Sequence, residues 1–451
     1  MQRDIFEVLD DRFLAAAGAV AIVANGEGVS FSELREAISS WRVRLDTAGV
    51  KPGQVVLLKA DFGREGIGAL FALLQRGNIA ILLSPTSFEK AAEFSEIGDA
   101  EWDIDTFTQR VAPLEGKGTH ALYEQLRSDN DSGIVLFSSG STGVSKGTVH
   151  SARKLLEKFR APGKTLRTLA FLLFDHIAGI DTLLYSLSNQ STLIISESRT
   201  PKAVCQAIEQ HKVEVLPTAP SFLNLLLLSN VLGKYDLSSL KIITYGSEMM
   251  SEAVLKQLAD AMPNVKLIQK YGTSETGALP TQSRSSTSTW LKLGGDGFRW
   301  RVREGKFEIR AKTAMLGYLN AVSPFTDDGW FQTGDRVETD GEYVRFLGRD
   351  SDIINVGGQK VYPAEVEAEI LSMPEIDEVA VFGEKHAILG DAVVAKVRTS
   401  TKLSPKELRT MIRAHLTGKI EPYKVPQKLK IVDQPLSTER FKTIRKPDQK
   451  S

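Results

Sequence analysis

Short apolar runs that break into glycine- or serine-bearing loops recur along this chain, with helical patterns between them. Residues 55–59 (VVLLK), 79–83 (IAILL) and 133–137 (GIVLF) have the length and side chains of buried strands. Apolar residues at helical spacing over 31–38, with Ser30 and Ser32 available as caps, and over 68–74 predict helices between them. Further on, the pattern predicts helices over 202–211, 221–228 and 251–261, and strands over 213–216, 240–244 and 266–269. This rhythm requires an α/β fold with mixed or parallel sheets flanked by helices. In such sheets ligands collect where strand ends open into loops.

From about residue 294 the pattern changes to short strands and tight turns. Runs over 307–310 and 343–346, with turns at Asp328-Gly329 and Asp340-Gly341, predict β-hairpins and hence a β-rich subdomain. After Gly348 the pattern is mixed again for the length of one small domain. The 451 residues exceed one ordinary core. We therefore expect a large unit over 1–348 and a small, mobile α+β unit over 349–451.

Lysine plus arginine balances aspartate plus glutamate at 56 each, so no global field favours nucleic acid or an anionic membrane. No apolar stretch is long enough for an integral membrane segment, and the first residues do not read as a signal peptide. Cys205 is the only cysteine; its helical surroundings predict a buried structural thiol. The six histidines show no ligand spacing, so no histidine-bound metal is expected. A cytoplasmic setting fits these features.

The run Ser138, Ser139, Gly140, Ser141, Thr142, Gly143, Val144, Ser145, Lys146, Gly147 follows a predicted strand. Glycine backbone and hydroxyl donors of such a loop suit phosphate. The spacing is not that of a Walker loop, because Ser145 precedes the lysine. Four blocks follow in order: YGTSETG at 271–277, DGWFQTGDR at 328–336, GRDSDIINVGGQKVYPAEVE at 348–367 and TERFKTIR at 438–445.

Together with the loop, these blocks resemble the adenylate-forming, or AMP-binding, superfamily of acyl-CoA synthetases, peptide-synthetase adenylation domains and luciferase. The resemblance spans nearly the whole chain. It implies an ATP-dependent ligase that joins a small carboxylic acid to AMP, releases pyrophosphate and passes the acyl group to a thiol. It also implies that the 138–147 loop and Lys146 hold the β- and γ-phosphates. Ser274 would contact the α-phosphate, and Glu275 would hold Mg²⁺. Tyr271, with Gly272 and Thr273 after it, would lie against adenine, opposite the turn Gly246, Ser247, Glu248. Asp335 and Arg349 would bind ribose. Lys442 would offset charge developing at the reacting phosphate. His176 would wall the acid pocket from the thiol tunnel, and Gly357 and Gly358 would admit a pantetheine arm.

Several positions depart from the family pattern. Ser145 replaces a usual proline, Ser274 a usual threonine, Phe441 the glycine before the lysine, and Ser351 a frequent hinge aspartate. Ile177 stands where amino-acid-activating members carry an aspartate. A buried ammonium there would lack a partner, which argues against an α-amino acid. Asp175 is expected to point elsewhere. A medium-sized aryl or aliphatic acid is the expected substrate. CoA is the expected acceptor, with the phosphopantetheine of a carrier protein as the alternative, and a catalytically silent nucleotide-binding homologue is a third reading.

Overall fold

The computed structural model describes residues 3–139, 144–386, 389–401, 403–438, 441 and 443–445. Two seven-stranded sheets carry the first two thirds of the chain. In one, Lys266–Gln269, Ile242–Tyr245, Val215–Thr218, Thr168–Leu169, Leu193–Ile194 and Val20–Ala24 run in parallel, and Glu27–Ser30 closes the edge as a hairpin. In the other, Gly133–Ser139, Ile79–Leu83, Val55–Lys59 and Trp102–Asp105 run in parallel. Antiparallel strands flank them: Arg110–Pro113 on one side, then Ser145–Ser151 and Gly317–Tyr318 on the other.

Helices fill the space between these sheets. Phe31–Ala48 begins on a capping box between Ser30 and Glu33, so Ser30 rather than Ser32 is the cap. It packs on Arg64–Gln75 through Gly68, where an added Cβ would meet the Ala37 Cβ at 2.9 Å. Only glycine permits that approach. One core cluster joins these helices and Ile177–Ser188 to Ile22 and Leu193 of one sheet and to Val56, Leu58, Ala80 and Leu82 of the other. Apolar surface on both faces of each sheet is thereby buried.

Six antiparallel strands between Thr281 and Arg349 form a third sheet, with the Asp340-Gly341 turn joining Phe331–Asp340 to Tyr343–Arg349. The last sheet uses only residues from Ile354 onward and has its own core, from Ile354 and Val366 to Leu416. Cys205 is buried in the helix Pro201–His211, and burial raises its thiol to about 11, as expected of a structural cysteine. Among the described residues, no helix is long and apolar enough to cross a membrane.

Two local expectations need correction. Residues 138–147 are not loop throughout. The strand from Gly133 runs to Ser139 and a new one starts at Ser145, with Ser138 opposite Lys146. Asn320 secures this pairing by donating to the Ser145 carbonyl at 2.8 Å and accepting from the Gly147 N–H at 3.2 Å. The predicted strand over 213–216 lies at Val215–Thr218 and so passes through Pro217. The proline is tolerated because the ladder toward Thr168–Leu169 stops at Val215, leaving no demand for its missing N–H on that side.

Candidate functional site

The blocks singled out in the sequence converge at the ends of these sheets. Tyr271 emerges from the parallel strand Lys266–Gln269, and Gly272–Thr273 pairs with Gly277–Ala278 as a small hairpin. The Thr273 hydroxyl accepts from the N–H groups of Glu275 and Thr276, each at 3.2 Å, which tightens the turn carrying Ser274 and Glu275. A crossing segment braces it from behind. The Thr313 hydroxyl donates to the Thr276 carbonyl at 2.7 Å, and the Met315 N–H to the Glu275 carbonyl at 2.7 Å.

Tyr271 stacks one ring face on Phe346, centroids 4.1 Å apart and 10° from parallel. Its hydroxyl donates to the Asp335 carboxylate at 2.5 Å. Burial, then the Asp335 charge, raises the Tyr271 pKa well above its ordinary value, so the hydroxyl stays a donor. Asp335 lies directly opposite Arg349 in the hairpin register, with the guanidinium 3.3 Å from its carboxylate. Burial pushes the Asp335 carboxyl up, and Arg349 works against that shift. Of the residues expected at adenine and ribose, Tyr271, Asp335 and Arg349 are thus brought into one linked set.

Glu275 accepts from the Tyr318 hydroxyl at 2.5 Å, and the Lys146 ammonium lies 5.6 Å from the centre of the Tyr318 ring. Tyr318 therefore ties the phosphate-loop lysine to the expected Mg²⁺ carboxylate, a link the sequence reading did not contain. Its only signal is a tyrosine in a two-residue strand that pairs with Ser145–Ser151. His150 was also missed. Its Nε2 sits 2.7 Å from the Ser274 carbonyl, and burial drives its pKa from 6.5 to about 4.

His176 caps the helix Ile177–Ser188, its Nδ1 accepting from the Ala178 N–H at 3.3 Å. Asp175 is buried and accepts from the Ser87 hydroxyl at 2.5 Å, so it does point elsewhere. Gly246 approaches the next strand end so closely that a Cβ would lie 2.6 Å from the Lys270 carbonyl. Ser247 takes a left-handed φ of 72°. The Glu248 carboxylate turns toward the C-terminal segment, accepting from Ser221 and Thr443 rather than standing open. Gly357 and Gly358, at φ 57° and 86°, form the two-residue turn of an exposed hairpin, which needs left-handed residues at both places. Gly140, Ser141, Thr142, Gly143 and Lys442 lie outside the described residues. Among those described, no group of three or more His, Cys, Asp or Glu gathers to hold a metal ion.

The sequence signature of AMP-binding enzymes matches residues 97–289, and that of the AMP-binding enzyme C-terminal domain matches residues 365–442. The chain belongs to the AMP-binding enzyme family. This AMP-binding enzyme is 30% identical over 348 residues to the indoleacetate–CoA ligase of Aromatoleum aromaticum, which covers 70% of this chain and 66% of that ligase. It is 25% identical to a 2-succinylbenzoate–CoA ligase of Listeria innocua over 94% of this chain and 95% of that one. In fold it resembles the anthranilate CoA ligase AuaEII, solved with anthranoyl-AMP, at a TM-score of 0.82 and 20% identity over 98% of this chain and 96% of that one. The expected family, α/β fold class and acid–thiol ligase class are borne out: the relatives are CoA ligases.

Proposed function

We propose that this AMP-binding enzyme converts ATP, a carboxylic acid and CoA to acyl-CoA, AMP and pyrophosphate. A carboxylate does not acylate a thiol because its oxygen is a poor leaving group. Attack of that oxygen on the α-phosphorus makes an acyl-adenylate and expels pyrophosphate. The sulfur then attacks the acyl carbon and AMP leaves. In the first step the protein contributes positioning and charge compensation rather than covalent chemistry.

The observation that carries this reading is the convergence of Tyr271, Asp335, Arg349, Glu275, Tyr318 and Lys146 at one set of strand ends. Tyr271 and Phe346 offer a flat apolar wall for a base, and Asp335 offers acceptors for ribose hydroxyls. Lys146, with the 138–147 run, supplies positive charge and donors for the outer phosphates, and Ser274 a hydroxyl for the α-phosphate. A lone carboxylate such as Glu275 suits Mg²⁺, which takes its remaining ligands from phosphates and water and would neutralise their charge.

The division into 1–348 and a mobile 349–451 belongs to this proposal. Lys442 would act on the first step, and the Gly357–Gly358 turn would meet the pantetheine arm in the second, after rotation of the small domain. His176, at the start of its helix, would separate acid from thiol. CoA is the proposed acceptor, as named for the relatives, and a carrier-protein pantetheine would serve the same chemistry. The single buried cysteine fits a cytoplasmic enzyme.

Pyrophosphate exchange into ATP, measured with magnesium across an acid library, tests the first step. We expect exchange with at least one non-α-amino acid, followed by thioester formation when CoA is added. No exchange with any acid would leave the silent-homologue reading standing. Thioester formation with carrier protein but never with CoA would reassign the acceptor.

A further inference from the structure

Two lysines beside the candidate site take no part in the chemistry above. Lys158 caps the C-terminus of the helix Ala152–Glu157, its side chain only 14% exposed, and forms an ion pair with Asp181 of the helix Ile177–Ser188. Lys270 immediately precedes Tyr271, and its backbone N–H donates to the Tyr245 carbonyl at 2.7 Å. Gly246 packs against the Lys270 backbone, where an added Cβ would lie 2.6 Å from the Lys270 carbonyl. The Lys270 ammonium has no hydrogen-bond or ion-pair partner among the described residues.

The Lys270 charge acts on Lys158. Burial, and then the charge of Lys270, depresses the Lys158 pKa to about 7. Burial alone lowers that of Lys270. His150, in contact with the Ser274 carbonyl, also feels the Lys158 charge. The pair therefore sits within electrostatic reach of the hairpin that carries Ser274 and Glu275.

The charges do not balance. Asp181 answers Lys158, and the Lys270 ammonium has no carboxylate among the described residues, in a setting where charges are costly unless paired. One positive charge is left for a ligand to meet. The adenylation reading puts adenine at Tyr271 and the acid near His176, at the start of the helix that carries Asp181. Lys270 adjoins Tyr271, and its charge reaches Lys158, which pairs with Asp181 of that helix, so the acid is the ligand placed to supply the counter-charge.

We infer that the acid activated by this enzyme carries a second carboxylate, remote from the reacting one, which pairs with Lys270 beside the Lys158–Asp181 ion pair. The substrate class is thus a dicarboxylic acid. This rests on the adenylation reading and narrows it. A monocarboxylic acid of the same length would bury an apolar end against an unpaired ammonium.

Matched acids tested by pyrophosphate exchange decide the matter: octanoate against octanedioate, and phenylacetate against 4-carboxyphenylacetate, with the full chain. We expect at least one diacid to exceed its monoacid in kcat/KM by about tenfold or more, the scale of a charge-assisted contact. Lys270→Met should lower that diacid-to-monoacid ratio about tenfold, while Lys270→Arg should retain most of it. Monoacids preferred or equal in the natural enzyme would overturn the inference, even if Lys270→Met failed to fold. So would an unchanged ratio in Lys270→Met, or a rise in KM for ATP with every acid, which would assign the lysine to the triphosphate. Exchange with monoacids alone sinks only this inference, whereas exchange with no acid sinks the adenylation reading beneath it.

Discussion

The Glu248 carboxylate takes two hydrogen bonds from Thr443, from its backbone N–H at 2.7 Å and its hydroxyl at 3.0 Å. Burial pushes this carboxyl up, while the bonds from Thr443 and Ser221 favour its charged form. Arg445 adds a bidentate pair to Glu367, at 2.8 and 2.7 Å. The segment just after Lys442 is thus fixed to the nucleotide-side body at Thr443 and to the C-terminal sheet unit at Arg445.

If Lys442 serves only adenylation, this attachment belongs to the first half-reaction. Lys442→Ala should abolish acyl-adenylate formation yet spare thioester formation from supplied acyl-adenylate. Thr443→Val keeps the backbone bond and loses the hydroxyl bond to a charged acceptor, at a cost of about 1.5–3 kcal/mol. Its adenylation rate should fall about tenfold or more, with the thioester step little changed. Single-turnover measurement of each step is the check, and equal losses in both would show that the contact is structural.

Tyr318→Phe should act through metal dependence. Without the 2.5 Å bond, the Glu275 carboxylate loses the contact that fixes its rotamer. The magnesium concentration for half-maximal pyrophosphate exchange should rise severalfold, about what loss of a 1–2 kcal/mol contact gives. An unchanged magnesium curve would mean that Glu275 is held by something else, or holds no cation.

His150 gives the fold an acid sensitivity. Its pKa falls from 6.5 to about 4 on folding, chiefly because its ring is buried. The folded protein therefore binds this proton more weakly than the unfolded chain. Its contribution is complete above pH 6.5 and is lost as pH falls toward 4, by up to about 3 kcal/mol. Urea midpoints between pH 7 and 4.5 should fall less steeply for His150→Asn than for the natural protein. Parallel slopes would place the acid sensitivity in other groups.

What the sequence disclosed divides along physical lines. The strands Val55–Lys59 and Ile79–Leu83 were legible to the residue, since both faces are buried and the apolar run ends where burial does, and Lys266–Gln269 was legible although only the face of Leu267 and Gln269 is buried. Asp335 and Arg349 were legible as partners in function, and the hairpin register makes them neighbours. Tyr318 was not legible, because its place depends on a two-residue strand pairing with Ser145–Ser151, far away in sequence. Lys158, Asp181 and Lys270 were hidden for the same reason: they come from three separate elements and share no local pattern. The strand predicted over 213–216 was displaced to Val215–Thr218, running on through Pro217 where the ladder becomes one-sided.

Phe441 is where the family pattern and this chain differ most, and its geometry sets opposing effects against each other. The family's glycine position is left-handed here, φ 54°, although the residue is phenylalanine. That backbone costs a residue with a Cβ about 1–2 kcal/mol. In return the ring packs against Phe171 and Phe222, with centroids 5.2 and 5.6 Å away, and the Phe441 carbonyl accepts from the Ser221 hydroxyl at 2.8 Å. Phe441 is half-buried, and partial burial of such a ring contributes about 1–2 kcal/mol, to which aromatic contacts add about 0.5–1.5 kcal/mol. Anchoring outweighs strain, so Phe441→Gly should slow adenylation modestly, by about three- to thirtyfold. Phe441→Ala loses the ring and keeps the strained backbone, so it should be slower still. Burst measurements of pyrophosphate release should rank Phe above Gly and Gly above Ala. A glycine variant faster than the natural enzyme would mean that freedom of the lysine segment, not its attachment, limits the step.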